Sequence, residues 1–175
     1  MMKAKNNLSL MDKIDKTRMG LNTVVIGIGN TLMGDDGAGP AVVSLLEKRC
    51  KNAELVALDT PGYSLLTYLT RKKKAIIVDA AFFGGQPGEV KALKLDQIKS
   101  SAEKSGLNLH DTDIVKVLEY AATLRLLPDE VTIMCIQVVN ISPGTTLSPA
   151  VKQGVKQAAG LIAAACRLQR TRSKA

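Results

Sequence analysis

Asp36, Asp79 and His110 are the residues whose types and positions could do chemistry together, and His110 is the only histidine in the chain. Two carboxylates and one imidazole suit a divalent transition metal and leave coordination positions open for a substrate. A carboxylate beside such a metal can also act as the base that orients a water molecule. Asp36 belongs to GIGNTLMGDDGAGP, residues 27–40, a glycine-rich stretch that also holds Asp35. Asp79 closes the apolar run AIIVD, where packing does not call for a carboxylate. His110 opens an apolar-periodic run with Asp111 and Asp113 in its first turn. The positive end of a helix disfavours imidazolium, which leaves a neutral ring able to ligate. Each residue also has a plainer reading: Asp35 or Asp36 as the start of a helix, Asp79 as a loop cap, His110 as an ordinary helix residue. What favours a site is that all three fall on one rim.

That rim follows from the elements that must hold these residues. Residues 23–28 (TVVIGI) are β-branched and apolar, as a buried strand requires. Pro40 is suited to the first turn of a helix running to about Arg49, with Val42, Val43, Leu45 and Leu46 inside. A second strand spans 54–58 and ends before Asp59, a short helix spans 63–70, and 75–79 is a third strand. Arg71 to Lys74 reads as a solvated helix end whose cations complement the dipole. The Gly-Gly-Gln-Pro turn chemistry before the alternating segment 88–93 predicts a strand running antiparallel to its neighbours. Residues 96–106 read as helix plus loop. Helical spacing resumes at 110, residues 130–138 form the last strand, and Ser148-Pro149 caps a final helix. Strands alternating with helices give a three-layer α/β sandwich on a mainly parallel sheet, whose ligand crevice lies at the carboxyl ends of the strands. The loop after the first strand, Asp59 and Asp79 all belong to that end.

Other chemistries fit less well. Gly27-Ile-Gly29 after a strand, with Asp59 downstream, resembles a dinucleotide fingerprint, but its third glycine is replaced by Leu32. Asp35 and Asp36 would also repel a pyrophosphate at the helix start. There is no GxSxG elbow for a serine nucleophile, and Cys135 lies within a strand, where a buried thiol is the default. The three cysteines, Cys50, Cys135 and Cys166, are far apart in sequence and read as reduced buried thiols.

The net charge of +8 is unevenly placed. Residues 1–20 hold five Lys or Arg against two Asp, and 166–175 hold four with no acid. The 145 residues between carry 15 basic and 14 acidic side chains, and the whole chain has only two Phe and three Tyr. This is not the basic, aromatic surface of a nucleic-acid binder. The domain reading is therefore a basic N-terminal extension (1–20), one α/β domain (21–165) and a basic C-terminal tail (166–175). No apolar run approaches the ~18 residues of a membrane helix, and Asp12 and Asp15 stand where a signal peptide would be apolar. The expectation is a cytoplasmic monomer with no nucleic-acid or membrane partner.

GIGNTLMGDDGAGP, IIVDAAFFGGQPGEV, LNLHDTDIVKVLEYA and TLSPAVKQGV together resemble the hydrogenase maturation endopeptidases, over about 24–164. The resemblance implies an aspartate- and metal-dependent peptidase that trims the C-terminal extension of the nickel-iron hydrogenase large-subunit precursor. It implies a phosphorylase/hydrolase-like α/β/α sandwich with a twisted, mixed five-stranded sheet containing one antiparallel strand. It further implies that Asp36, Asp79 and His110 contact nickel, that this nickel arrives with the precursor, and that another divalent metal could replace it in a crystal. Gly29, Asn30, Gly34 and Gly37 are the candidate substrate-binding residues, and Asp36 is the candidate catalytic base. The chain departs from the family at 136–140 (IQVVN), where a proline is common. Two alternatives stand beside this reading: a non-catalytic nickel- or precursor-binding module, and a nucleotide-binding enzyme.

Overall fold

The computed structural model describes residues 21–95, 97, 108–109 and 112–172. The elements run β1 (Thr23–Ile28), a 3-10 turn (Gly34–Gly37), α1 (Ala38–Leu46), β2 (Glu54–Leu58), α2 (Ser64–Leu69), β3 (Lys74–Phe82), β4 (Val90–Lys94), β5 (Asn108–Leu109), α3 (Thr112–Thr123), β6 (Glu130–Gln137) and α4 (Pro149–Arg172). Five strands lie in the order β2-β1-β3-β6-β4, and β5 adds to β3 off that path. β2, β1, β3 and β6 are mutually parallel, and β4 runs antiparallel to β6. The fold is thus the mixed α/β sandwich that the alternation of elements predicts. The antiparallel strand is present, but it does not return along β3 as a hairpin would; it crosses to the outer edge of β6.

Alternation along the strands sorts the core into two layers. Val25, Ile76, Val78, Ala80, Met134 and Ile136 pack with α1 and α4. Val24, Ile26, Ile28, Ala75, Ile77, Ala81, Ile133 and Cys135 pack with α2 and α3. β1 and the turn after it are forced into a narrow space, because α1 crosses directly over β1. A Cβ on Gly39 would strike the backbone of Ile28 and Val78, and one on Gly27 would strike the carbonyl of Gly39.

Several expectations change. α1 begins at Ala38, so Pro40 is its third residue and not its first. It remains in the first turn, where an absent N–H breaks no intrahelical bond. β3 continues past Asp79 to Phe82, because Ala80 and Ala81 keep pairing with β6 while β5 pairs with Ala81 and Phe82. Asp79 is therefore inside the strand, not at its end. The basic C-terminal segment is not a separate tail from 166: α4 runs to Arg172, and Cys166 is buried in the core. Lys72 is not a solvated cation; its Nζ lies 2.9 Å from Glu54 Oε2 in a nearly buried pair and also donates to Leu21 O. Ser148 caps α4 as its sequence predicts, its Oγ accepting from Val151 N. Apart from residue 97, the expected helix plus loop at 96–106 lies outside the described residues, as does the N-terminal extension at 1–20.

Candidate functional site

The glycine-rich turn leaves the top of β1 and presents its two aspartates in opposite directions. In a 3-10 turn successive side chains diverge by about 120°. Asp35 points inward and is buried. Its Oδ1 accepts from Ser148 N at 2.6 Å and its Oδ2 from Val139 N at 3.5 Å, so one carboxylate joins the turn to the end of β6 and the start of α4. Backbone bonds continue the seam: Gly34 N donates to Gly144 O and Gly144 N to Leu32 O. Asp36 is half-buried, and its Oδ2 accepts from Asn30 N at 2.6 Å. No described residue donates to its Oδ1. Asn30 is itself fixed, its Oδ1 accepting from Leu32 N as in an Asx turn.

Asp79 approaches from the neighbouring strand. The β1–β3 register ends at Gly27↔Val78, so Asp79 is level with the point where the chain leaves β1 for the turn. The 3-10 turn lies against β3. Asp79 is 3 % exposed and alternates with Ile77 and Ala81, which places it on the α2–α3 face. Its register partner is Cys135, whose thiol is pushed up to about 12, by burial first and by the charge of Asp79 second. A thiol so held stays protonated at neutral pH and is a poor nucleophile.

His110 and its neighbour Asp111 lie outside the described residues. The described chain on either side frames them: Asn108–Leu109 pairs antiparallel with the last residues of β3, and α3 starts at Thr112. β6 already occupies one edge of β3 up to Ala81, so β5 takes the other edge, above the end of β1. Asp36 and Asp79 thus share the carboxyl rim of the sheet, and the chain segments flanking His110 reach the same rim. Among the described residues, no three His, Cys, Asp or Glu side chains are grouped as a metal site.

The four candidate substrate-binding residues divide by role. Gly29 adopts φ +137°, and a Cβ there would strike the backbone carbonyl of Asp36. Its missing side chain makes room for the turn itself and not for a visiting chain. Asn30 likewise works inward, on Asp36. Gly34 and Gly37 line an open groove of about 250 Å³ with Pro40, Ala41, Ser44 and Thr145. A larger groove, about 420 Å³, lies between Lys94 and Asp129 at the opposite end of the sheet, away from both acids.

Two contributions escaped the sequence reading. Asp35 was read only as a possible helix-start residue, yet it joins the turn to β6 and α4. Gln137, buried at the end of β6, accepts from Phe83 N and Gly85 N through Oε1 and donates from Nε2 to Val138 O. It pins the loop that leaves β3 just beyond Asp79. A polar residue closing an apolar strand was the only available signal, and that signal does not reveal a partner 50 residues away.

A family model described as hydrogenase maturation protease matches residues 40–165, a span that includes Asp79 and His110 and begins after Asp36. Among curated proteins, the chain is 28 % identical over 139 residues to the hydrogenase expression/formation protein HupD of Thiocapsa roseopersicina, covering 77 % of this chain and 63 % of that protein. It is 35 % identical over 100 residues to a putative hydrogenase maturation protease of Methanocaldococcus jannaschii, covering 55 % and 64 %. The chain thus spans somewhat under two thirds of these two relatives. Among solved structures, the hydrogenase 2 maturation peptidase of a Thaumarchaeota archaeon superposes with TM-score 0.64 at 29 % identity, over 84 % of this chain and 99 % of that one. The nickel-iron hydrogenase maturation protease HybD of Thermococcus kodakarensis superposes with TM-score 0.69 at 25 % identity, over 81 % and 97 %.

Proposed function

The chain belongs to the hydrogenase maturation protease family, and on that premise we propose that it is the endopeptidase that removes the C-terminal extension of a nickel-loaded nickel-iron hydrogenase large-subunit precursor. The observation that carries the reading is the split of the acidic pair. Asp35 spends both oxygens on backbone N–H groups, while among the described residues only Asn30 N donates to Asp36, and none donates to its Oδ1. A cation delivered by a partner would meet Asp36 from the turn and Asp79 from β3, with His110 as the third contact.

In this reading the nickel is part of the substrate, and it would polarise the scissile carbonyl or acidify a bound water. Asp36 is the base toward that water, its orientation set by Asn30 N and by the anchorage of Asp35. Gln137 and the Phe83–Gly85 loop steady the rim beside Asp79. The groove lined by Gly34 and Gly37 is the place for the extended precursor chain to lie beside the turn.

The test is to incubate the full chain with nickel-loaded and nickel-free precursor and to follow the precursor mass. The expected result is loss of the tail from the loaded precursor only, and no loss with His110→Ala. Equal cleavage of both precursors, or full activity of that variant, would sink the metal-reading role. Stable binding of the loaded precursor without any loss of mass would mean a non-catalytic binding module.

A further inference from the structure

Gln137 is 6 % exposed at the end of β6, and the residues before it, Ile133 to Ile136, are all buried. Packing in such a run does not call for an amide. Its Oε1 accepts from Phe83 N at 2.9 Å and from Gly85 N at 3.0 Å, and its Nε2 donates to Val138 O at 2.9 Å. From this placement, and resting on the peptidase reading, we infer that Gln137 is a positioning residue for the cleavage. It sets Asp79, and the segment that leads to His110, through the end of β3.

Both lone pairs of the amide oxygen are used, by donors two positions apart on the chain. Gly84 lies between them at φ +74°, a conformation that bends the backbone so that the two N–H groups meet one oxygen. The main chain of Gln137 grips the same loop at its far end: Gly88 N donates to Gln137 O and Gln137 N to Glu89 O, each at 2.9 Å. Within the loop, Gln86 N donates to Glu89 Oε2. The loop leaving β3 is thus tied at both ends to a single residue of β6.

The candidate site hangs on that end of β3. Ala81 is the register partner of Gln137, and Asp79 lies two residues before it. Phe82 and Ala81 pair with Asn108 and Leu109, so the strand end also seats the chain just before His110. Phe83 carries Lys91 Nζ 5.6 Å from its ring centroid, and Lys91 and Asp79 are both register partners of Cys135, one from β4 and one from β3. Loss of the amide leaves Phe83 N and Gly85 N without their acceptor and loosens the strand end that these groups share. A displacement of about 1 Å is enough to cost ~10²-fold in a reaction that depends on alignment. Gln137 acts through β3 and its loop, not by contact with the reacting atoms.

The test compares Gln137→Met, which fills similar space without the amide, with Gln137→Glu, which keeps the acceptor oxygen for both N–H groups. kcat and KM are read on the nickel-loaded precursor, at a temperature where melts show each variant folded. In Gln137→Met kcat should fall by about 10²-fold, and in Gln137→Glu it should stay within about tenfold of the parent. KM should move less than roughly threefold in both, because precursor contacts are retained. In the unsubstituted chain the amides of Phe83 and Gly85 should exchange with solvent as slowly as that of Val78 inside β3. A folded Gln137→Met with the parental kcat, an equal loss in both variants, or fast exchange at those two amides would overturn the assignment. If Gln137→Met fails to fold, Gln137→Glu decides alone: kcat within about tenfold of the parent supports the role, and a larger loss overturns it. An unsubstituted chain that leaves the loaded precursor intact would instead remove the peptidase reading, and this role with it.

Discussion

The two ends of the sheet both carry charge, and they satisfy it by different means. At the amino ends of the strands, Lys72 pairs with Glu54 at 2.9 Å and Lys74 with Glu130 at 3.0 Å. At the carboxyl rim, Asp35 and Asp36 rest on backbone N–H groups of Ser148, Val139 and Asn30 and, among the described residues, on no cation. The first arrangement closes on itself: each of these charges has its counter-charge. The second holds a carboxylate in place by dipoles, with no counter-charge among the described residues. On the proposed function, a surface built that way would receive the cation that the paired end has no use for. On the same proposed function, the difference separates the end of the fold that provides stability from the end that would bind the precursor's metal.

Substitutions can break that contrast in order of expected size. Asp36→Asn removes the uncompensated charge without removing the bond from Asn30 N, and tail removal from a nickel-loaded precursor should fall by about 10³-fold. Its Tm should stay within about 2 °C of the parent, since a single exposed-side bond contributes only ~1 kcal/mol. Cleavage measured by precursor mass, together with a thermal melt, checks both halves. Next comes Lys72→Ala, which strands a nearly buried Glu54 and the carbonyl of Leu21; a loss of about 3 kcal/mol is expected in urea unfolding. The double change Lys72→Met with Glu54→Leu should recover most of it, because the penalty lies in the unpaired charge.

Asp35→Ala tests the claim that this acid is structural. It leaves the N–H groups of Ser148 and Val139 without their acceptor, for a loss of about 2 kcal/mol. Cleavage should drop less than in Asp36→Asn and should recover partly in Asp35→Asn, which keeps one acceptor oxygen. If Asp35→Ala left stability unchanged and abolished cleavage, the roles of the two acids would have to be exchanged. The smallest effect is expected for Lys74→Ala. Its partner Glu130 is 68 % exposed, so the change should be below about 1 kcal/mol and should shrink further in high salt.

How far these features were legible beforehand depends on the range of the interaction. β1 and β2 were read with their observed limits because runs of β-branched residues bounded by turn chemistry are a local signal. The end of β3 was misplaced since an acid after four apolar residues looks like a terminus. Only the pairing with β5 and β6 shows that the strand continues. The basic run at 71–74 looked like a solvated helix end, and it took β2 beside it to make Lys72 a buried partner of Glu54. The cysteines were read as unrelated thiols, and the packing of α1 and α4 on the sheet puts Cys50 and Cys166 in one core layer.

Sequence alone determined the α/β layering, the glycine-rich turn between β1 and α1, and the candidate trio Asp36, Asp79 and His110, because periodicity and turn residues act within a few positions of themselves. The resemblance singled out Asp36, but residue chemistry and periodicity alone could not rank it against Asp35, whose neighbours along the chain are the same. That distinction required the 3-10 turn to aim one side chain at the amide of Ser148, more than 100 residues away, and the other at the rim. Tertiary packing alone decides which of two adjacent carboxylates is consumed by the protein's own backbone.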